Sequence, residues 1–197
     1  MKRLVKVLMQ NPGAASLALF TREIWANPRA MGAACPSAPP LASHMASRVP
    51  LDREGMVVEL GGGTGAVTAA LLKHGVPPWQ LLVVERSPTL AQHLHQRFPQ
   101  LRIIQGDAAQ LEHLLGHKTA QIGSIVSSLP LRSLHPATTR AISHQFETLL
   151  EPGGLLIQFT YNLRGTHPRL LPHFRRLSSR IIWGNLPPAR VDVFERK

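Results

Sequence analysis

The sequence is poor in cysteine, in acidic residues and in aromatic side chains. Its 197 residues include one cysteine, eleven Asp and Glu residues, three Trp, one Tyr and six Phe. A single cysteine, Cys35, cannot form an internal disulfide, which suits a reducing compartment. No apolar run approaches the roughly 18–20 residues that cross a bilayer. We therefore expect neither a disulfide-stabilised secreted domain nor a transmembrane helix.

Basic residues are abundant where acidic ones are scarce. Lys and Arg number 22 against eleven Asp and Glu, a formal net charge of +11. Such an excess on a small domain suggests a polyanionic partner, either nucleic acid or an anionic lipid surface. The basic residues are concentrated in residues 1–30 and 163–197. The alternative explanation for the excess of basic residues is a proteome that is basic in general, in which case the charge indicates no particular partner.

The length predicts one domain with a helical extension before it. Residues 4–8 and 17–25 form two short amphipathic pieces, and a Pro-, Ala- and Ser-rich passage follows. We expect an N-terminal extension over residues 1–40 and the main domain over residues 41–197. The extension can contact a membrane with its apolar and basic side chains, or fold over the ligand site as a lid.

From Met56 onward, strand and helix patterns alternate. Strands are predicted at 56–60, 81–85, 101–105, 122–128 and 154–161, with a helix after each of the first four. Two later β-like runs, 180–184 and 189–195, suggest a hairpin-like pair. This order predicts an α/β fold with a doubly wound, Rossmann-like sheet that is mostly parallel and has an antiparallel last strand.

The stretch VVELGGGTGAV, residues 57–67, places a glycine-rich turn directly after the first strand. No Lys-Ser/Thr pair follows it, which excludes a phosphate-binding P-loop, and the dinucleotide fingerprint fits poorly. The acid and the glycines are spaced E-x-G-x-G-x-G, as is typical of nucleoside-dependent methyltransferases; they are Glu59, Gly61, Gly63 and Gly65. Without Cβ atoms the backbone can turn tightly and approach a ligand. Glu59 would support the loop or the ligand's ammonium group.

Two further acids end the second and third predicted strands. Glu85 is positioned to accept hydrogen bonds from ribose hydroxyls, and Asp107 from an adenine amino group. Carboxyl ends of parallel strands meet at one edge of a sheet, so these acids and Glu59 should lie together. Asp107 can alternatively cap the helix that begins at Ala108.

With these motifs, residues from about 40 to 197 resemble the class I S-adenosylmethionine-dependent methyltransferases. More narrowly, the sequence is similar to bacterial phospholipid N-methyltransferases. The passages that support the narrower resemblance are residues 27–37, the SSLPL segment at 127–131, and PGG at 152–154 with QFTY at 158–161.

The resemblance implies methyl transfer from S-adenosylmethionine to the head-group amine of phosphatidylethanolamine or its methylated derivatives. It implies a cytoplasmic enzyme, peripherally bound to the inner face of the cytoplasmic membrane through an anionic lipid surface. The cofactor site would comprise Glu59, Gly61, Gly63, Gly65, Glu85 and Asp107. The methyl acceptor would be flanked by Ser128, Leu129, Pro130 and Tyr161. Another aminolipid, such as ornithine lipid, is an alternative acceptor; no metal is implied, and the oligomeric state is open.

An RNA adenine N6-methyltransferase is the alternative of a different substrate class. Those enzymes place an Asn/Asp-x-Pro-aromatic segment after strand four, and the aromatic ring stacks on the extruded base. Here the segment reads Ser128-Leu129-Pro130-Leu131, so the polar residue and the ring are both missing. Stacking of a base on an aromatic ring contributes roughly 1–3 kcal/mol to binding, and without the ring this contribution is lost. Nucleic acid is therefore the less favoured partner. His135 and His167 are candidate proton acceptors for an amine.

Overall fold

A computed structural model describes residues 37–116, 121–164 and 172–197. The helices are α1 (Pro39–Ala46), α2 (Ala66–His74), α3 (Pro88–Arg97), α4 (Leu111–Leu115) and α5 (Pro136–Leu149). The strands are β1 (Met56–Leu60), β2 (Leu81–Glu85), β3 (Arg102–Gln105), β4 (Ile122–Ser127), β5 (Leu150–Thr160), β6 (Phe174–Ile182) and β7 (Ala189–Arg196). Short 3-10 turns occur at Pro78–Gln80 and Ala108–Gln110.

The seven strands form one sheet in the order β3-β2-β1-β4-β5-β7-β6. Strands β1 to β5 are parallel to one another, whereas β7 is antiparallel to both β5 and β6. The predicted mostly parallel sheet with an antiparallel last strand is therefore confirmed. The hairpin-like relation of the two last strands is confirmed as well.

Helices cover both faces of the sheet, which explains the continuous apolar runs of the central strands. On one face Val57 of β1 packs in a cluster with Leu71 of α2. On the other face Val58 packs in a cluster with Phe146 of α5. Parallel strands buried on both sides need apolar residues at successive positions. The doubly wound architecture follows from this two-sided burial.

Strand β6 begins at Phe174, six residues before the predicted start at 180. It is one of the two edge strands of the sheet, and residues 175–180 are all exposed. An edge strand with no buried face has no alternation of apolar and polar side chains, so sequence periodicity does not reveal it.

Helix α1 fastens the start of the described chain to the domain. It begins at Pro39, just before the expected boundary at residue 40, and proline suits the first turn of a helix because it needs no N–H donor there. Leu41 and Met45 are fully buried in the cluster shared with α2. The amphipathic pieces predicted at 4–8 and 17–25 lie outside the described residues.

One edge of the sheet gathers the carboxyl ends of β1 to β5. Strand β7 starts at this same edge, since Arg190 pairs with Thr160 at the end of β5. The turn between β6 and β7 lies there too, because Ile182 pairs with Ala189. Ligands of open α/β sheets bind at this edge.

Candidate functional site

A cleft opens at the carboxyl edge of the sheet, between the loops that follow β1, β2, β3 and β4. Its wall includes seven of the ten residues that the sequence predicts for the cofactor or the acceptor. These seven are Gly61, Gly63, Glu85, Asp107, Ser128, Leu129 and Pro130. Three other predicted residues, Glu59, Gly65 and Tyr161, are not part of that wall.

The glycine turn serves packing as well as access to the cleft. A Cβ on Gly62 would lie 2.5 Å from Cγ1 of Val83, so the turn presses directly against β2. Gly65 has a φ of 82°, and a Cβ there would lie 2.5 Å from Cε2 of Phe98. Gly65 therefore lets the start of α2 approach the end of α3. The role of Gly62 was missed because the motif spacing passes over it.

Glu85 joins the second strand to the glycine turn. Its Oε2 atom accepts a hydrogen bond from the backbone N–H of Gly63 at 2.9 Å. Its Oε1 atom accepts one from the N–H of Ser87 at 2.8 Å. A carboxylate offers about four acceptor sites, so the side chain can hold the turn and still accept from hydroxyl groups in the cleft.

Asp107 both caps a turn and faces the cleft. Its Oδ1 atom accepts a hydrogen bond from the N–H of Ala109 at 2.9 Å, as the capping alternative anticipated. Its Oδ2 atom lies 3.7 Å from Nε of Arg86, whose side chain is largely exposed. Arg86 also lines the cleft. Sequence reasoning missed Arg86 because a single arginine after a strand carries no motif.

Glu59 lies beneath the glycine turn and is fully buried. Its Oε2 atom accepts a hydrogen bond of 2.7 Å from Oγ1 of Thr68 on α2, while Oε1 has no hydrogen-bond partner among the described residues. Burial raises the pKa of Glu59 to about 8, and the nearby Glu85 carboxylate adds to the rise. Of the two predicted roles, this placement favours support of the loop.

The segment after β4 forms the part of the cleft wall beside the glycine turn. The carbonyl oxygen of Leu129 accepts a hydrogen bond of 2.8 Å from Nε2 of Gln158 on β5, which fixes the segment to the sheet. Oγ of Ser128 is buried without a hydrogen-bond partner in the described part of the chain. Leu131 is only 5% exposed and packs in the core, so it does not face the cleft.

Tyr161 lines a second pocket that adjoins the cleft. The two share Pro130 and Phe159 as a common wall. The rings of Phe159 and Tyr161 pack edge to face, with centroids 5.3 Å apart and planes at 82°. Arg132 and Asn162 also line the second pocket. The structure thus separates Tyr161 from Ser128 and Leu129 by one shared wall.

Of the two histidines considered as proton acceptors, His135 is not among the described residues that line the cleft. His135 is exposed, and its Nδ1 accepts a hydrogen bond of 3.3 Å from the N–H of Ala137 at the start of α5. His167 lies outside the described residues. Within 37–116, 121–164 and 172–197, no group of three or more His, Cys, Asp or Glu residues could hold a metal ion.

A search of family models matches residues 57–154, from β1 to the start of β5, to the methyltransferase domain. The solved structure of the glycopeptide N-methyltransferase MtfA with S-adenosylmethionine superposes with a TM-score of 0.64 at 16% identity, covering 82% of this chain and 88% of that one. At that identity the superposition shows the fold. The chain belongs to the class I S-adenosylmethionine-dependent methyltransferases. Its cofactor is S-adenosylmethionine.

Two curated relatives of this methyltransferase act on different substrates. The ornithine lipid N-methyltransferase of Singulisphaera acidiphila is 28% identical over 179 residues, covering 87% of this chain and 91% of that protein. The "Probable ribosomal RNA small subunit methyltransferase A" of Methanococcoides burtonii is 29% identical over 131 residues. That match covers 65% of this chain but 44% of the RNA enzyme.

Proposed function

We propose that this methyltransferase transfers methyl groups from S-adenosylmethionine to the head-group amine of a membrane aminolipid. The observation that carries the proposal is the similarity to an ornithine lipid N-methyltransferase over 87% of this chain and 91% of that protein. The acceptor class is an amine next to an anionic group. Phosphatidylethanolamine with its methylated derivatives, and ornithine lipid, both belong to this class.

The cleft offers hydrogen-bonding groups that suit the cofactor. When bound, S-adenosylmethionine supplies an electrophilic methyl group. Gly61 and Gly63 leave room for the backbone to approach the methionine and ribose portions. Glu85 accepts from the ribose hydroxyls, and Asp107 accepts from the adenine amino group. Gly65 and Glu59 lie outside the cleft wall and support the glycine turn.

The second pocket suits the lipid head group. Pro130 and Phe159 form the boundary between the two sites, where the amine must meet the methyl group, and Ser128 and Leu129 lie on its cofactor side. Tyr161 and Arg132 line the far side of this boundary. Arg132 can pair with the phosphate or carboxylate of the acceptor, while the amine lies at the boundary with the cofactor cleft. Alignment of nitrogen with the methyl group is the main contribution that the protein makes to such a transfer.

A lipid acceptor requires the enzyme to reach the membrane surface as a peripheral protein. No helix in the described ranges is long and apolar enough to cross a membrane. The formal charge of +11 favours an anionic surface such as the inner face of the cytoplasmic membrane. The basic amphipathic pieces at 4–8 and 17–25 would contribute to this contact.

An RNA adenine methyltransferase is the second candidate, and the similarity to the Methanococcoides burtonii enzyme favours it. Leu131 argues against it. At the position where base-flipping enzymes present an aromatic ring, this side chain is apolar, aliphatic and buried in the core.

Incubation of the full chain with radiolabelled S-adenosylmethionine tests the two candidates directly. One set of reactions contains vesicles with phosphatidylethanolamine, monomethyl-phosphatidylethanolamine or ornithine lipid; the other contains small-subunit ribosomal RNA. Label in one or more aminolipids supports the proposal, and chromatography of the product counts the methyl groups. Label in RNA with none in lipid overturns it. Glu85→Ala should lose the lipid signal, whereas Glu54→Ala, an exposed acid at the opposite sheet edge, should retain it.

A further inference from the structure

The turn between β6 and β7 presents two large apolar side chains to solvent. Trp183 is 72% exposed and Leu186 is 84% exposed. Exposed side chains of this size are costly in water and commonly mark interaction sites. Both lie at the carboxyl edge of the sheet, the edge on which the cofactor cleft opens.

The turn is held firmly although its apolar side chains face outward. Asn185 is 1% exposed, and its Nδ2 atom donates a hydrogen bond of 2.7 Å to the carbonyl oxygen of Pro187. Its Oδ1 atom accepts a hydrogen bond of 2.9 Å from the N–H of Ala38. The neighbouring residue, Ser37, lines the cofactor cleft. The exposed tip is thus fixed beside the mouth of the cleft.

The surroundings of the tip are basic. Arg86, Arg132 and Arg164 follow the carboxyl ends of β2, β4 and β5, and all three are exposed. Arg180, also exposed, lies on β6 just before the tip. The exposed acids Asp52, Glu54 and Glu151 lie at the opposite edge, before β1 and at the start of β5, as do the exposed basic residues Arg102, Arg175 and Lys197. The arginines at the cleft edge attract that edge to an anionic surface.

We propose that the β6–β7 tip, residues 183–188, inserts Trp183 and Leu186 into the interfacial region of an anionic lipid bilayer and so turns the cleft toward the membrane. Tryptophan prefers the headgroup level of a bilayer, and leucine the acyl boundary. Each nearby arginine strengthens attraction to an anionic surface by about fivefold. A fixed tip has little conformational entropy to lose on insertion. The inference rests on the proposed lipid acceptor, and its test measures membrane binding separately from methyl transfer.

The test is cosedimentation of the full chain with vesicles of phosphatidylglycerol and phosphatidylcholine. The variant Trp183→Ser/Leu186→Ser should partition onto the vesicles at least about tenfold more weakly, because two apolar side chains no longer enter the bilayer. The matched control is Trp79→Ser/Leu51→Ser. Trp79 is 82% exposed and precedes β2, and Leu51 is 52% exposed and precedes β1. Both lie at the sheet edge opposite the cleft. The control should bind like the unmodified chain. Equal binding by the tip variant and the unmodified chain overturns the proposal.

Tryptophan fluorescence gives a second readout that does not depend on a loss of binding. In Trp25→Phe/Trp79→Phe, Trp183 is the remaining tryptophan of the three. Its emission should shift to shorter wavelength when anionic vesicles are added, and lipids brominated near the headgroup should quench it. An emission maximum that stays at its value in water, while the protein cosediments with vesicles, overturns the proposal.

If something other than a lipid bilayer covers the tip, the fluorescence of Trp183 should behave differently. If residues 1–36 or a second copy of the chain cover it, Trp183 should be shielded from acrylamide without vesicles, which contradicts the proposal. If RNA is the partner, RNA rather than vesicles should shift the emission.

Methyl transfer to a short-chain aminolipid dissolved as monomers separates this inference from the proposed function. The tip variant should retain that activity and lose activity on vesicles. Vesicle binding through the tip without methylation of any aminolipid would contradict the proposed function and leave the docking surface in place.

Discussion

The backbone N–H of Gly63 donates a hydrogen bond of 2.9 Å to Oε2 of Glu85, so the acid that ends β2 also positions the glycine turn that follows β1. Two loops that are distant in sequence are therefore held as one unit at the cleft. Loss of the Glu85 carboxylate should loosen the turn and, under the proposed function, also remove an acceptor for the ribose hydroxyls.

We expect Glu85→Ala to weaken S-adenosylmethionine binding by at least about tenfold, since hydrogen bonds to a charged group contribute roughly 1.5–3 kcal/mol. Isothermal titration calorimetry measures the Kd, and circular dichroism checks that the variant is folded. Glu54→Ala is the control, because Glu54 is exposed and distant from the cleft. A folded Glu85→Ala protein with an unchanged Kd would refute the site as described.

Gly65 and Gly153 form a natural pair for separating steric packing from backbone strain. Both have a φ of 82°, but a Cβ on Gly153 meets no atom of the described chain within 4 Å, whereas one on Gly65 meets Phe98 at 2.5 Å. Gly153→Ala should cost about 1–2 kcal/mol from the left-handed backbone alone. Gly65→Ala should cost a further 1–3 kcal/mol from overpacking.

Urea unfolding of the two variants measures this difference. Adding Phe98→Leu to Gly65→Ala should recover part of the loss, because the ring that the new methyl group meets is then absent. If the two single variants are equally destabilised, Phe98 does not restrict position 65.

The location of the cofactor acids could be predicted from sequence because it depends on topology alone. Glu85 and Asp107 directly follow strands, and the carboxyl ends of parallel strands converge at one edge. Sequence spacing therefore placed them together without any knowledge of side-chain packing. Ser128, Leu129 and Pro130 were predicted from the resemblance to phospholipid N-methyltransferases, and they also lie in the cleft wall.

The direction in which a side chain points is not given by such spacing. Glu59 belongs to β1, where successive side chains alternate between the two faces, and it points to Thr68 beneath the turn. Tyr161 follows the end of β5, and the packing of its ring on Phe159 places it in the adjoining pocket. These outcomes depend on tertiary contacts that no local pattern encodes.

Glu59 should make the stability of the protein depend on pH. Its pKa rises from an ordinary value of 4.5 to about 8 on folding, so the folded state binds the proton more tightly than the unfolded chain. The stabilising contribution of this proton is fully present below pH 4.5 and is lost as the pH rises toward 8. Near pH 8 the cost of the buried charge should reach a few kcal/mol, at most about 4.

The variant Glu59→Gln tests this expectation, because its amide oxygen can still accept the hydrogen bond from Thr68. Relative to the unmodified protein, the variant should gain free energy of unfolding as the pH is raised from 5 to 8. Urea denaturation at several pH values gives the comparison. A constant difference between the two proteins over this range would mean that Glu59 titrates normally.

Arg132 provides the test of the acceptor pocket. It is exposed, lines the pocket that contains Tyr161, and has no ion-pair partner among the residues that the structure describes. If it pairs with the phosphate or carboxylate of the lipid, Arg132→Gln should raise the KM for the aminolipid by about tenfold, in line with roughly 1.5–3 kcal/mol for a charge-assisted hydrogen bond. The kcat should change little, because the amine is still aligned by the segment after β4.

The KM of Arg132→Gln should be measured with the lipid dispersed in a nonionic detergent. No anionic surface then attracts the enzyme, so the substitution can change the KM only through the lost contact with the acceptor. Arg140→Gln is the control, since Arg140 is an exposed arginine on α5 that lines neither pocket. The Kd for S-adenosylmethionine should be the same in both variants, because the cofactor cleft is intact. An equal KM in Arg132→Gln and Arg140→Gln would show that the acceptor's anionic group binds elsewhere, and a change confined to kcat would place Arg132 at the transferring methyl group instead.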